Sequence, residues 1–60
     1  MNSKHVKIYV KDGSFGRAFT NDWVMSQWIA KTMRELDNIQ RILILNNDGE
    51  IVQHVYERRR

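Results

Sequence analysis

The chain has 60 residues, room for one domain at most. It contains no cysteine, so neither a disulfide framework nor a thiolate zinc site can support its small core, and a partner chain or close packing must do so. Its formal charge of +3, from ten Lys and Arg against seven Asp and Glu, permits attraction to a polyanion without demanding it.

A hydrophobic fraction of 42% with 28% charged residues describes a globular domain rather than a disordered segment. The longest apolar run, Ile42 to Leu45, falls far short of the roughly 20 residues that cross a bilayer. The opening "MNSKHVK" lacks the apolar centre of a signal peptide. With the lack of cysteine, which suits a reducing compartment, these features lead us to expect a cytoplasmic protein with no membrane segment. No repeat, low-complexity tract or proline interrupts the chain, so residues 1–60 are expected to form a single domain ending in a basic tail, 58–60.

From Lys4 to Lys11 the residues alternate, with Val6, Ile8 and Val10 separated by polar or amphipathic neighbours, a period-two strand pattern. Asp12-Gly13 then suits a two-residue hairpin turn of type I′, whose central residues both need positive φ. Such a turn sets Val10 opposite Phe15 and Ile8 opposite Arg17. The return strand, 14–20, places Phe15 and Phe19 with Val6, Ile8 and Val10. Arg17 is the misfit on that apolar side, and Gly16 weakens the strand or marks a bulge.

Thr20, Asn21 or Asp22 is expected to cap a helix over residues 22–37. Met25, Trp28, Ile29, Thr32, Met33 and Leu36 share one face of it. Trp23 falls off that stripe, in the first turn. It reads as a lid packed on the hairpin or, failing that, as an exposed interaction anchor.

Residues 39–46 and 50–57 read as two further strands around "NNDGE". A three-residue loop, Asn47-Asp48-Gly49, would put Ile42 and Ile44 with Val52, His54 and Tyr56. A two-residue loop, Asp48-Gly49, would put Leu43 and Leu45 with them instead. In either register both faces of the pair are substantially apolar.

The expected fold is therefore α+β, a small ββαββ domain with two hairpins flanking one amphipathic helix packed on an antiparallel sheet. One helix covers one sheet face. A homodimer or a larger protein partner is the expected cover for the other, unless the hairpins pack at an angle around a shared core.

No residue pattern points to catalysis. No serine lies in a nucleophile turn, there is no cysteine nucleophile, and the acids are accounted for by turns, caps and helix surface. His5 and His54 could meet only if the first and last strands pair, and two histidines are too few for a zinc site. The glycines of "DGSFGRAF" are followed by strand rather than helix, which speaks against a phosphate loop. Neither a metal nor a cofactor is expected.

One constellation is more specific. His5, Lys7, Tyr9 and Lys11 form the outer face of the first strand, backed by the small residues Gly16 and Ala18. An aromatic between cations suits base stacking with phosphate neutralisation. Arg41 and Tyr56 could extend that face, and the tail Arg58, Arg59 and Arg60 would add attraction independent of base sequence. Lysines also protect sheet edges and tyrosine is common on half-buried strands, so solubility alone explains the face as well. The expected role is thus a non-enzymatic binding or regulatory protein contacting nucleic acid through Lys7, Tyr9, Lys11, Arg41, Tyr56 and Arg58 to Arg60. The alternative is an inhibitor or adaptor module that docks through Trp23, Leu43 and Leu45 or lends an edge strand to a partner's sheet.

Overall fold

The computed structural model describes residues 3–58. They form β1 (Lys4–Val10), β2 (Gly13–Phe19), α1 (Asp22–Glu35), β3 (Ile39–Leu45) and β4 (Ile51–Glu57), the ββαββ order that the sequence implies. All four strands make one antiparallel sheet in the order β2-β1-β3-β4. β1 is therefore central, and α1 carries the chain from edge strand β2 over to β3.

The first hairpin turns one residue earlier than Asp12-Gly13 suggests. Val10 pairs with Gly13, so Lys11 and Asp12 are the central turn residues. Gly49 is the only described residue with positive φ, which rules out a type I′ turn; Gly13 instead takes the fourth position, where a type I turn favours glycine. Ile8 consequently pairs with Phe15 and Val6 with Arg17. The register differs by two residues from the expected one, so every side chain keeps its expected face. Gly16 marks no bulge, since the β1–β2 ladder is regular; it admits a close approach of backbone, because a Cβ there would lie 2.7 Å from the Val6 carbonyl oxygen.

Asn21 is the helix cap: its Oδ1 accepts from the Trp23 and Val24 amides at 2.9 and 3.1 Å. Asp22 bonds the Lys4 ammonium at 3.1 Å, which ties the first turn of α1 to the start of β1. Met25, Ile29 and Thr32 are buried against the sheet, and the Thr32 hydroxyl donates to the Trp28 carbonyl at 2.8 Å. Trp28 packs on the second hairpin strand, with ring centroids 6.2 Å from Phe15 and 5.3 Å from Phe19. The helix ends at Glu35, two residues short of residue 37, with the backbone of its cap Leu36 already extended. Val6, Ile8, Phe19, Ile39, Ile42 and Ile44 complete the core beneath it, with Val55 and Tyr56 packed at its margin.

Neither expected register orders β3 and β4 throughout. Near the turn Leu45 pairs with Ile51, as in the three-residue loop, and Gly49 has φ +82°. Ile44 and Leu43 then pair with Gln53 and His54, as in the two-residue loop, and Ile42 and Arg41 pair with Tyr56 and Glu57 in a third register. Bulges at Val52 and Val55 absorb the two shifts. The last strand is thereby divided: Val55 and Tyr56 turn to the helix side, while Ile51, His54 and Glu57 stay on the uncovered side.

Candidate nucleic-acid interface on the open sheet face

The face opposite α1 is set by strand alternation and register. β1 contributes His5, Lys7 and Tyr9; β2 contributes Ser14, Gly16 and Ala18; β3 contributes Arg41, Leu43 and Leu45; β4 contributes Ile51, His54 and Glu57. At its centre Tyr9 is directly opposite Arg41 and one alternation along from Lys7. The Lys7 ammonium lies 5.5 Å from the Tyr9 ring centroid and the Arg41 guanidinium 6.0 Å, so one ring is served by two cations. Beside them a shallow hollow lined by His5, Lys7, Gly16, Ala18 and Leu45 lies where the small β2 residues leave the surface low.

Lys7, Tyr9 and Arg41, named together from sequence, meet on this face. Lys11 is exposed in the turn at the end of β1. Tyr56 does not join them: the bulge at Val55 turns it to the helix side, where it packs against the core. Arg58 goes with it, since its amide bonds the Gln40 carbonyl at 2.9 Å and its side chain borders a hollow with Met33, Leu36, Asp37 and Tyr56. Arg59 and Arg60 lie outside the described residues.

His54, expected beside Tyr56 and Arg58 should β4 show this side, is on the open face without them, and Glu57 joins it there unanticipated. Glu57 stands 3.7 Å from Arg41 Nε, an exposed pair whose attraction is weak in water. Only the bulges decide that His54 faces out while Tyr56 faces in, and alternation in "IVQHVYE" carries no sign of them. His5 and His54 are kept apart by β3, because the first and last strands do not pair. Among the described residues no three His, Asp or Glu side chains gather as a metal set.

The protein-interface residues also fall differently from expectation. Leu43 lies on the open face but is only 4% exposed, since Lys7 and His54 flank it across the strands and Arg41 and Leu45 along its own. Long polar side chains can roof an apolar one in this way. The open face therefore carries less bare aliphatic surface than either simple register implied: Leu45 is half-buried and Ile51 is exposed. Trp23 is 71% exposed, so it is no lid on the hairpin. None of the described helices is long and apolar enough to cross a membrane.

No protein-family model matches this chain, and no curated protein or solved structure is significantly similar to it.

Proposed function

We propose that this chain is a non-enzymatic binding protein that takes single-stranded nucleic acid on its open sheet face and works as a homodimer. The observation that carries the reading is Tyr9 on a central strand, uncovered by the helix, with the Lys7 and Arg41 cations over its ring, where an incoming base displaces them towards its own phosphates. An unpaired base stacks on such a ring, whereas a base inside a duplex offers no free face. Lys7 and Arg41 then meet the flanking phosphates, and Lys11 extends the cationic track toward the turn. The small residues Gly16 and Ala18 keep the neighbouring strand low enough for a flat ligand. Self-association is supported by the size of the chain and by a sheet with two free edges and one uncovered face.

Fluorescence anisotropy of labelled oligonucleotides tests this. Single strands should bind more tightly than duplexes, and Tyr9→Ala should weaken binding about tenfold or more, the loss of one stacking contact. Lys7→Glu should flatten the salt dependence by about 0.7 in log–log slope for the lost phosphate contact. Absence of binding at low salt, or binding indifferent to Tyr9→Ala, refutes the proposal.

A protein-binding module is the second reading, favoured by the exposure of Trp23 and by Leu45 and Ile51 on the open face. Under it oligonucleotides fail at every salt concentration. Binding of a protein partner then depends on Trp23 and Leu45, tested as Trp23→Ala and Leu45→Asp in chains shown to be folded, and is indifferent to Lys7→Glu.

A further inference from the structure

The two edges of the sheet are not alike. β4 carries two bulges, which bend a strand and spoil its pairing on the free side. β2 carries none: seven residues without proline or lysine run in unbroken register against β1. The two-residue turn makes Val10 and Gly13 a pair that exchanges backbone hydrogen bonds. Alternation along the ladder then turns the N–H and C=O groups of Ser14, Gly16 and Ala18 away from β1. These three side chains are small and uncharged, and the one guard on β2 is Arg17, a charge on its apolar side that disfavours an unlike edge but meets Phe15 when the partner is a second copy.

We infer that a second copy of this chain docks on β2, the two β2 strands pairing antiparallel about Gly16 to make one eight-stranded sheet. The inference rests on the homodimer reading above and gives it a surface. A two-fold axis through Gly16 makes the strand self-complementary. Gly16 of one copy faces Gly16 of the other, Ser14 faces Ala18, and Phe15 faces Arg17.

That last pair engages two side chains that the single chain leaves partly open to water. Phe15 is 40% exposed despite packing on Trp28, and Arg17 is the one charged residue that β2 places on its apolar side. Within the chain Arg17 already stands 5.3 Å from the Phe19 ring centroid. In the dimer the guanidinium of each copy also borders the Phe15 ring of the other, cation against aromatic rather than like against like.

A dimer through the open faces is the poorer solution. It would set Lys7 and Arg41 of both copies against each other to cover one exposed isoleucine and a half-buried leucine. Edge pairing instead leaves both open faces on the same side of a continuous sheet. The two Tyr9 residues then stand three strand spacings apart across the sheet and four residues apart along it, roughly 20 Å in all.

The test combines mass, amide exchange and one edge variant. At about 100 μM, a concentration that populates an association of micromolar Kd, sedimentation should give twice the 7.2 kDa chain mass. The Gly16 and Ala18 amides should exchange about tenfold or more slowly than in a monomeric variant. Ser14→Pro removes an outward donor at an edge position that tolerates proline in the single chain, so it should yield a folded monomer with fast exchange at Gly16 and Ala18. Ile51→Lys, on the open face, should leave the dimer intact.

A monomer at this concentration overturns both the β2 interface and the homodimer reading. A dimer that survives Ser14→Pro but is dispersed by Ile51→Lys overturns the β2 interface alone. Should Ser14→Pro fail to fold, exchange in the unaltered chain decides instead. Gly16 and Ala18 amides that exchange no more slowly in the dimer than after dilution to monomer refute the pairing.

Discussion

Replacing Gly16 by alanine should destabilise the protein, although Gly16 is exposed and lies in a regular strand. The added Cβ would sit 2.7 Å from the Val6 carbonyl oxygen, whereas a carbon touching a carbonyl oxygen settles at about 3.3–3.6 Å. Something has to move by roughly 0.6–0.9 Å. The obstructing atom cannot swing aside, because it belongs to the backbone of β1, which is paired on both sides and whose Val6 side chain is buried in the core. Forcing extra volume into such a place costs about 1–3 kcal/mol, against roughly 0.5–1 kcal/mol gained by stiffening the unfolded chain. The net loss should centre near 1 kcal/mol, or about 4–8 °C in Tm for a domain of this size. Thermal unfolding followed by circular dichroism at fixed protein concentration measures it, with Gly13→Ala as control. Gly13 has no heavy atom within 4 Å of its would-be Cβ and no positive φ, so that change should be neutral or slightly stabilising. If Gly16→Ala melts at or above Gly13→Ala, the close approach of β2 to β1 is not what demands the glycine.

Ile42→Ala, at a fully buried position between Ile8 and Tyr56, should cost about 2–5 kcal/mol. Chains of this length have only about 3–9 kcal/mol in total, so the midpoint of a urea titration should fall by about half. Asn21→Ala removes the acceptor for two helix amides and should cost about 1 kcal/mol in the same titration, while Asn21→Ser retains most of it. Gly49→Ala forces a side chain into the left-handed region at φ +82° and should lower stability by about 1–2 kcal/mol, with Gly49→Asn milder. Trp23→Ala should leave Tm nearly unchanged, within about 0.5 kcal/mol, because the indole is mostly in water.

Much of the fold follows from local pattern. The period-two run from Lys4 and the period-3.6 stripe through Met25, Ile29 and Thr32 place β1 and α1 to within two residues at each end. Asn21 was one of three adjacent cap candidates, and geometry selects it. The faces of the first hairpin are right even though its turn is displaced, because a shift of two residues preserves strand alternation. For the same reason Lys7 and Tyr9 were legible as neighbours on one face, and Arg41 joins them through pairing of β1 with β3.

The residues misread on β4 share one cause. Bulges at Val52 and Val55 insert residues that no alternation can announce, so His54 and Tyr56, two apart in sequence, end on opposite faces. Burial misled in a second way. Leu43 lies on the uncovered face and is nevertheless sealed by its neighbours, while Trp23, the larger side chain, stays in water.

Local pattern along the chain is enough for the element order, the helix with its buried stripe and cap zone, and the division of the first hairpin into an apolar and a basic-aromatic face. Each rests on interactions within a few residues along the chain, which local composition specifies. The assembled sheet is what puts β1 and β3 at the centre, makes β2 a smooth edge and β4 a bulged one, and lets Tyr9 keep Arg41 and lose Tyr56. Those outcomes depend on which strands meet and in what register, a contest among long-range pairings settled by the joint packing of helix and sheet rather than by any short stretch of residues.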